Sequence, residues 1–99
     1  MATKHVGQYV IVRTYSAGVF AGNLVSRKGK EAVLSDARRL WSWRGAASLS
    51  QMAMSGTSNP AGCKFPVAVS SVTLTEAIEI LDVTAAAEKS IKAVPIWQS

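Results

Sequence analysis

Residues 37–48 (Ala-Arg-Arg-Leu-Trp-Ser-Trp-Arg-Gly-Ala-Ala-Ser) hold three of the eleven basic residues and two of the three tryptophans. Side chains alternate across a strand, so Arg39, Trp41 and Trp43 share one face there, while Arg38, Leu40, Ser42 and Arg44 share the other. The small residues Gly45 to Ser48 then lead into a helical pattern. Guanidinium forks match phosphate oxygens, indole faces stack on planar rings, and backbone N–H groups at a helix start receive anions. Arg39, Trp41, Trp43, Arg44, Ala47 and Ser48 are therefore candidate ligands for a flat anionic molecule such as a nucleotide. Arg13 and Tyr15 on the first strand form a second Arg/aromatic group, together with Tyr9. The alternative is that the tryptophans are core and the arginines its solvated rim. Arg39 and Arg44 can grip one ligand only if the chain turns near Gly45, a residue that tolerates such a turn.

The machinery of catalysis is sparse. His5 is the one histidine, and it lies beside the terminus. Glu76 and Glu79 would align on a helix but separate on a strand. Ser48 and Ser50 carry no nucleophile-elbow pattern. Gly18 and Gly22 have no Lys-Ser/Thr sequel, so they make no P-loop. Cys63 is alone, which excludes a disulfide framework and a cysteine zinc site. No enzyme activity, metal or cofactor is expected.

Five strands must position these residues. Gln8–Tyr15 is β-branched and aromatic, and Ser16-Ala17-Gly18 turns it into a second strand over 19–26. Ala21 and Gly22 within that strand signal a bulge or a close backbone approach. A basic tip at 27–30 leads to a third strand at 31–35, and Asp36-Ala37 to a fourth at 38–43. Leu49, Met52 and Ala53 mark a short helix over 47–55, and residues 56–62 a loop. Residues 72–83 fit helix and strand periodicities, and their β-branched content favours a strand. Thr84 caps a last helix, 84–93, stopped by Pro95, with Ile96-Trp97 docking back on the sheet. The expected fold is α+β: a strongly bent antiparallel sheet of about five strands, or a small barrel, with two short helices.

Ninety-nine residues, 48% of them hydrophobic, make a single domain over 1–99 able to bury a core. The net charge of +5 is uneven. Residues 1–50 carry eight lysines and arginines against Glu31 and Asp36, a net of +6, and residues 51–99 carry three against four carboxylates, a net of −1. That asymmetry suits an anionic partner for the first half. Nucleic acid is possible but not favoured, since no recognition motif of known spacing is present. No signal-peptide pattern follows Met1, and no apolar run approaches the ~18 residues that span a bilayer. No membrane association is expected, and a reducing cytosol is the natural compartment.

The segments YVIVRTYSAGVFAG (9–22), ARRLWSWRGAASLSQ (37–51), CKFPV (63–67) and LTEAIEI (74–80) together resemble a family of small proteins encoded by tailed bacteriophages and prophages. The resemblance implies a phage source and a place in the cytoplasm of the infected bacterial host. It brings no established active site. Phages encode small oligomeric proteins of about this size that sequester nucleotide immune signals, a parallel of size, source and site chemistry. The first expectation is thus a non-enzymatic homo-oligomeric protein that captures an anionic, cyclic-nucleotide-like host signal. The second is a structural or protein-interaction module, either a virion component or an inhibitor of a host protein.

Overall fold

The computed structural model describes residues 6–98, so His5 lies outside the described residues. The elements run β1 (Tyr9–Thr14), β2 (Val19–Lys28), β3 (Glu31–Arg39), α1 (Leu49–Ser55), a 3-10 turn (Pro60–Gly62), β4 (Val69–Leu74), β5 (Ala77–Asp82) and α2 (Ala85–Ala93). The five strands form one antiparallel sheet in the order β4-β3-β2-β1-β5. The α+β architecture and the strand count match the sequence expectation.

Two strand assignments differ. Residues 31–39 are one strand, β3, because Asp36 adopts a left-handed φ of 49° and absorbs the break as a bulge rather than a turn. Beyond Arg39 the chain stays extended: the Leu40 amide makes one more bond to β2, and the chain then leaves the sheet to pair at Trp41 and Ser42 with Lys64. Of the expected fourth strand at 38–43, only residues 38 and 39 belong to β3, and the rest is connection. The expected single strand at 72–83 is instead two, β4 and β5, broken at Thr75-Glu76.

That break fixes the curvature. β4 and β5 lie at opposite edges of the sheet, yet only two residues join them. In a flat sheet four inter-strand gaps would separate them by about 19 Å. Three Cα steps reach at most about 11 Å. The sheet must roll until its edges meet at this end, and the Ala77 amide donates to the Lys30 carbonyl of the β2–β3 tip at 2.9 Å. Along their length β4 and β5 do not pair, so the roll is not closed into a barrel.

Bulges supply the bend. Register shifts occur in the β2–β3 pair between Ala21 and Asn23 and between Leu24 and Ser26. A Cβ at Gly22 would lie 2.9 Å from Ala37 Cα, so only glycine permits this backbone crossing. Rolling makes two cores. Val10, Val12, Phe20, Leu34 and Leu74 fill the inside of the roll. Tyr9, Ile11, Leu40, Met52, Phe65 and Ile91 lie between its other face and the helices. β1 is thus buried on both sides, which explains its nearly continuous apolar run.

α1 begins at Leu49, two residues later than the sequence expectation, because Ser48 is its cap, and α2 begins as expected. Thr84 caps α2, its hydroxyl accepting from the Ala87 amide at 3.1 Å. After Pro95 the chain pairs in parallel with the segment at Phe65, through an Ile96 bridge and the Trp97 amide donating to the Phe65 carbonyl at 3.0 Å. The apolar tail docks on this extended segment, not on the main sheet.

Candidate functional site

Arg39, Trp41 and Trp43 line one open cleft of about 300 Å³, opposite Ser16, Ala17, Gly18 and Val19. The β1–β2 turn forms the far wall because the Leu40 amide bonds the Val19 carbonyl at 2.8 Å, continuing the β2–β3 pairing past Arg39. Arg39 is held there. Its guanidinium carbon lies 4.5 Å from the centre of the Phe20 ring, and Nη1 donates to the Ala17 carbonyl at 2.8 Å. Only one of five N–H donors is used in this way, so the fork is fixed and mostly free among the described residues.

The tryptophans divide between the two roles weighed from sequence. Trp43 packs partly against the helix-side core. Trp41 leaves 62% of its surface exposed, an unusual amount for so large an apolar ring. Trp43 is therefore partly structural, and Trp41 is a surface group.

The remaining candidates do not join the cleft. Arg44 does not line the cleft, and the chain turns immediately after it at Gly45, whose φ is 80°. A Cβ at Gly45 would fall 2.4 Å from the Asn59 amide nitrogen, so the turn requires glycine. Just before that turn, Arg44 lies over Gly62, and its carbonyl accepts from the Thr57 hydroxyl at 2.5 Å. The Ala47 amide is occupied by Gln51 Oε1 at 2.9 Å, and the Ser48 hydroxyl caps α1 by accepting from the Gln51 amide at 3.2 Å. Neither is open to an anion. Arg13 pairs with Glu79 at 3.0 Å, and Tyr15 is 78% exposed just beyond β1, with no part in the cleft lining. Glu76, expected to be separate from Glu79, accepts a short hydrogen bond from the Ser16 hydroxyl.

Arg38, one residue from the site, is the group that sequence reasoning undervalued. It is 6% exposed and donates to four carbonyls: Pro66 at 3.1 Å, Ile91 at 2.9 Å, Phe65 at 2.9 Å and Pro95 at 3.1 Å. The Ile91 carbonyl belongs to the last turn of α2, where the helix dipole favours a cation, and Pro95 lies just beyond it. Burial lowers the affinity of its guanidinium for the proton, and among the described residues no carboxylate bonds it. Its place opposite Arg39 on the strand was the available signal, since Arg38 shares a face with Leu40.

Among the described residues no three His, Cys, Asp or Glu side chains gather to hold a metal ion. No helix there is long and apolar enough to cross a membrane. Residues 7–91 match the family described as a domain of unknown function, DUF6948. The chain belongs to this family. No curated protein and no solved structure matches it.

Proposed function

We propose that this DUF6948 protein is a non-enzymatic binding module that takes a flat, anionic, nucleotide-like ligand in the Arg39–Trp41–Trp43 cleft. One observation carries the reading: Arg39 is clamped between Phe20 and the Ala17 carbonyl with most of its donors uncommitted, beside a tryptophan face open to solvent. In such a cleft Trp41 stacks on a base and Arg39 receives a phosphate, a division of labour that single-stranded nucleic-acid binders also use. Ordering the fork before binding removes part of the entropic cost of association.

A cleft of about 300 Å³ lies at the small end of ligand sites and covers only part of a cyclic dinucleotide. A second protomer would complete the enclosure, so a homo-oligomer is part of the proposal. The resemblance to phage-encoded proteins adds the biological setting: capture of a cyclic-nucleotide signal of host defence in the cytoplasm of an infected bacterium.

Arg39→Ala and Arg44→Ala test the assignment when melting temperature and nucleotide affinity are read on the same samples. Losing a charge-assisted contact costs about 1.5–3 kcal/mol, or roughly ten- to a hundredfold in affinity. Arg39→Ala should show that loss, and Arg44→Ala should bind like the wild type. Equal effects in the two variants would contradict the site.

Exposed Ile96 and Trp41, with the partly exposed Trp97, favour a second reading as a protein-interaction module. In that reading these side chains anchor a host or virion protein, and a stoichiometric protein partner is recovered from bacterial lysate without bound nucleotide.

A further inference from the structure

A second cavity, of about 350 Å³, lies between the Asp36 bulge, the end of α2 and the C-terminal segment. Tyr9 and Arg38 line it, with Asp36 and Lys92 as its other charged groups and Val67, Val94 and Ile96 as apolar wall. Tyr9 is only 6% exposed, yet its hydroxyl has no hydrogen-bond partner among the described residues. Buried tyrosine hydroxyls normally find one. Arg38, equally buried, uses four of its five N–H donors on carbonyls and leaves one on Nη1 unpartnered. Two buried side chains with donor capacity to spare thus meet in the lining of one cavity.

The charges narrow what could satisfy them. A simple anion would meet Arg38 and Tyr9 but also face the Asp36 carboxylate. A simple cation would meet Asp36 but face Arg38 and Lys92. Lys92 is already engaged, with Nζ 2.6 Å from Glu88 Oε2 and 5.0 Å from the centre of the Tyr9 ring. Asp36 makes no ion pair or hydrogen bond among the described residues, and it is the one non-glycine there with positive φ. A strained backbone residue at a cavity mouth is a recurrent mark of a ligand site.

We propose that this cavity binds a small zwitterion with an apolar side chain, the chemistry of a free apolar α-amino acid. Its carboxylate takes hydrogen bonds from the Tyr9 hydroxyl and the spare Arg38 N–H. Its ammonium faces Asp36, and its side chain lies against Val67, Val94 and Ile96. Both formal charges of the ligand meet their opposites, and the orphaned donors are filled. Burial keeps the Tyr9 phenol protonated and able to donate, with the Glu88 carboxylate reinforcing the effect.

Calorimetric titration of the full chain with L-leucine and L-phenylalanine tests this directly, with N-acetyl-L-leucine, L-leucinamide and leucyl-leucine as further arms. The free amino acids should bind, and the two blocked derivatives about tenfold or more weakly, since each removes one charge. The longer dipeptide should also bind more weakly, which separates a free amino acid from a peptide terminus. Tyr9→Phe and Asp36→Asn should each weaken leucine about tenfold while melting near the wild type, because asparagine tolerates the left-handed backbone. Asp36→Gly serves if the asparagine variant folds poorly. Trp41→Ala should leave leucine binding unchanged, so failure here is distinct from failure of the nucleotide cleft. No heat with either amino acid at millimolar concentration would overturn the proposal, as would equal binding of the blocked derivatives or unaltered affinity in both cavity variants.

Discussion

Replacing Arg38 by methionine keeps the length and apolar stem of the side chain and removes the guanidinium. Four charge-assisted hydrogen bonds are lost, nominally about 1.5–3 kcal/mol each, which sets an upper bound of about 6–12 kcal/mol. Two corrections reduce it. Dehydrating a buried cation costs several kcal/mol, and the variant no longer bears that cost. The Phe65 and Ile91 carbonyls also keep backbone donors, from Trp97 and Val94. The bonds from Arg38 to the Pro66 and Pro95 carbonyls are only partly buried, so water can reach these groups in the variant. The net loss should be about 3 kcal/mol, a fall in melting temperature of roughly 12–24 °C for a domain of this size. Thermal unfolding by circular dichroism measures it. Arg38→Lys should fall nearly as far, because one ammonium has three donors and no planar fork. A methionine variant within about 0.5 kcal/mol of the wild type would refute the role of Arg38 as the clamp joining β3, α2 and the C-terminal segment.

Three further outcomes follow from local geometry. Burial raises the Tyr9 phenol above the usual tyrosine range, so the folded state keeps a proton that the unfolded chain releases near pH 10. Stability from this group is complete below about pH 10 and is lost as pH rises further, and Tyr9→Phe should show a shallower alkaline decline in urea titrations. Gly45→Ala forces a left-handed backbone on a residue with a Cβ and drives that atom into Asn59. It should cost about 2 kcal/mol or more by chemical denaturation. Thr84→Ala removes the α2 cap and the hydroxyl's bond to the Met54 carbonyl at 2.7 Å, and should cost about 1–2 kcal/mol by the same assay.

Local physics was legible in the sequence wherever one residue type decides the outcome. Thr84 and Pro95 bound the last helix, Gly22 marks the close crossing, and Gly45 marks the turn. What local pattern does not carry is long-range pairing. Residues 72–83 have β-branched content throughout, so nothing in their alternation says that Thr75-Glu76 bends the chain between opposite sheet edges. Asp36 resembles a turn residue, but in β3 it is a bulge, because strands on either side of it keep pairing with β2 and β4. The candidate site divides for the same reason. Alternation brings Arg39 and Trp41 to one cleft, whereas Arg44 packs over Gly62 and the α1 cap occupies Ala47 and Ser48. Beyond the face Arg38 shares with Leu40, its role is not legible in the sequence, because its partners are backbone carbonyls.

Isothermal titration of the wild-type chain against cyclic di- and trinucleotides tests the nucleotide cleft most directly. Saturable heat with at least one of them is expected, weakened about tenfold or more by Arg39→Ala in a variant that remains folded at the assay temperature. The absence of both heat and thermal shift across the whole panel would contradict it.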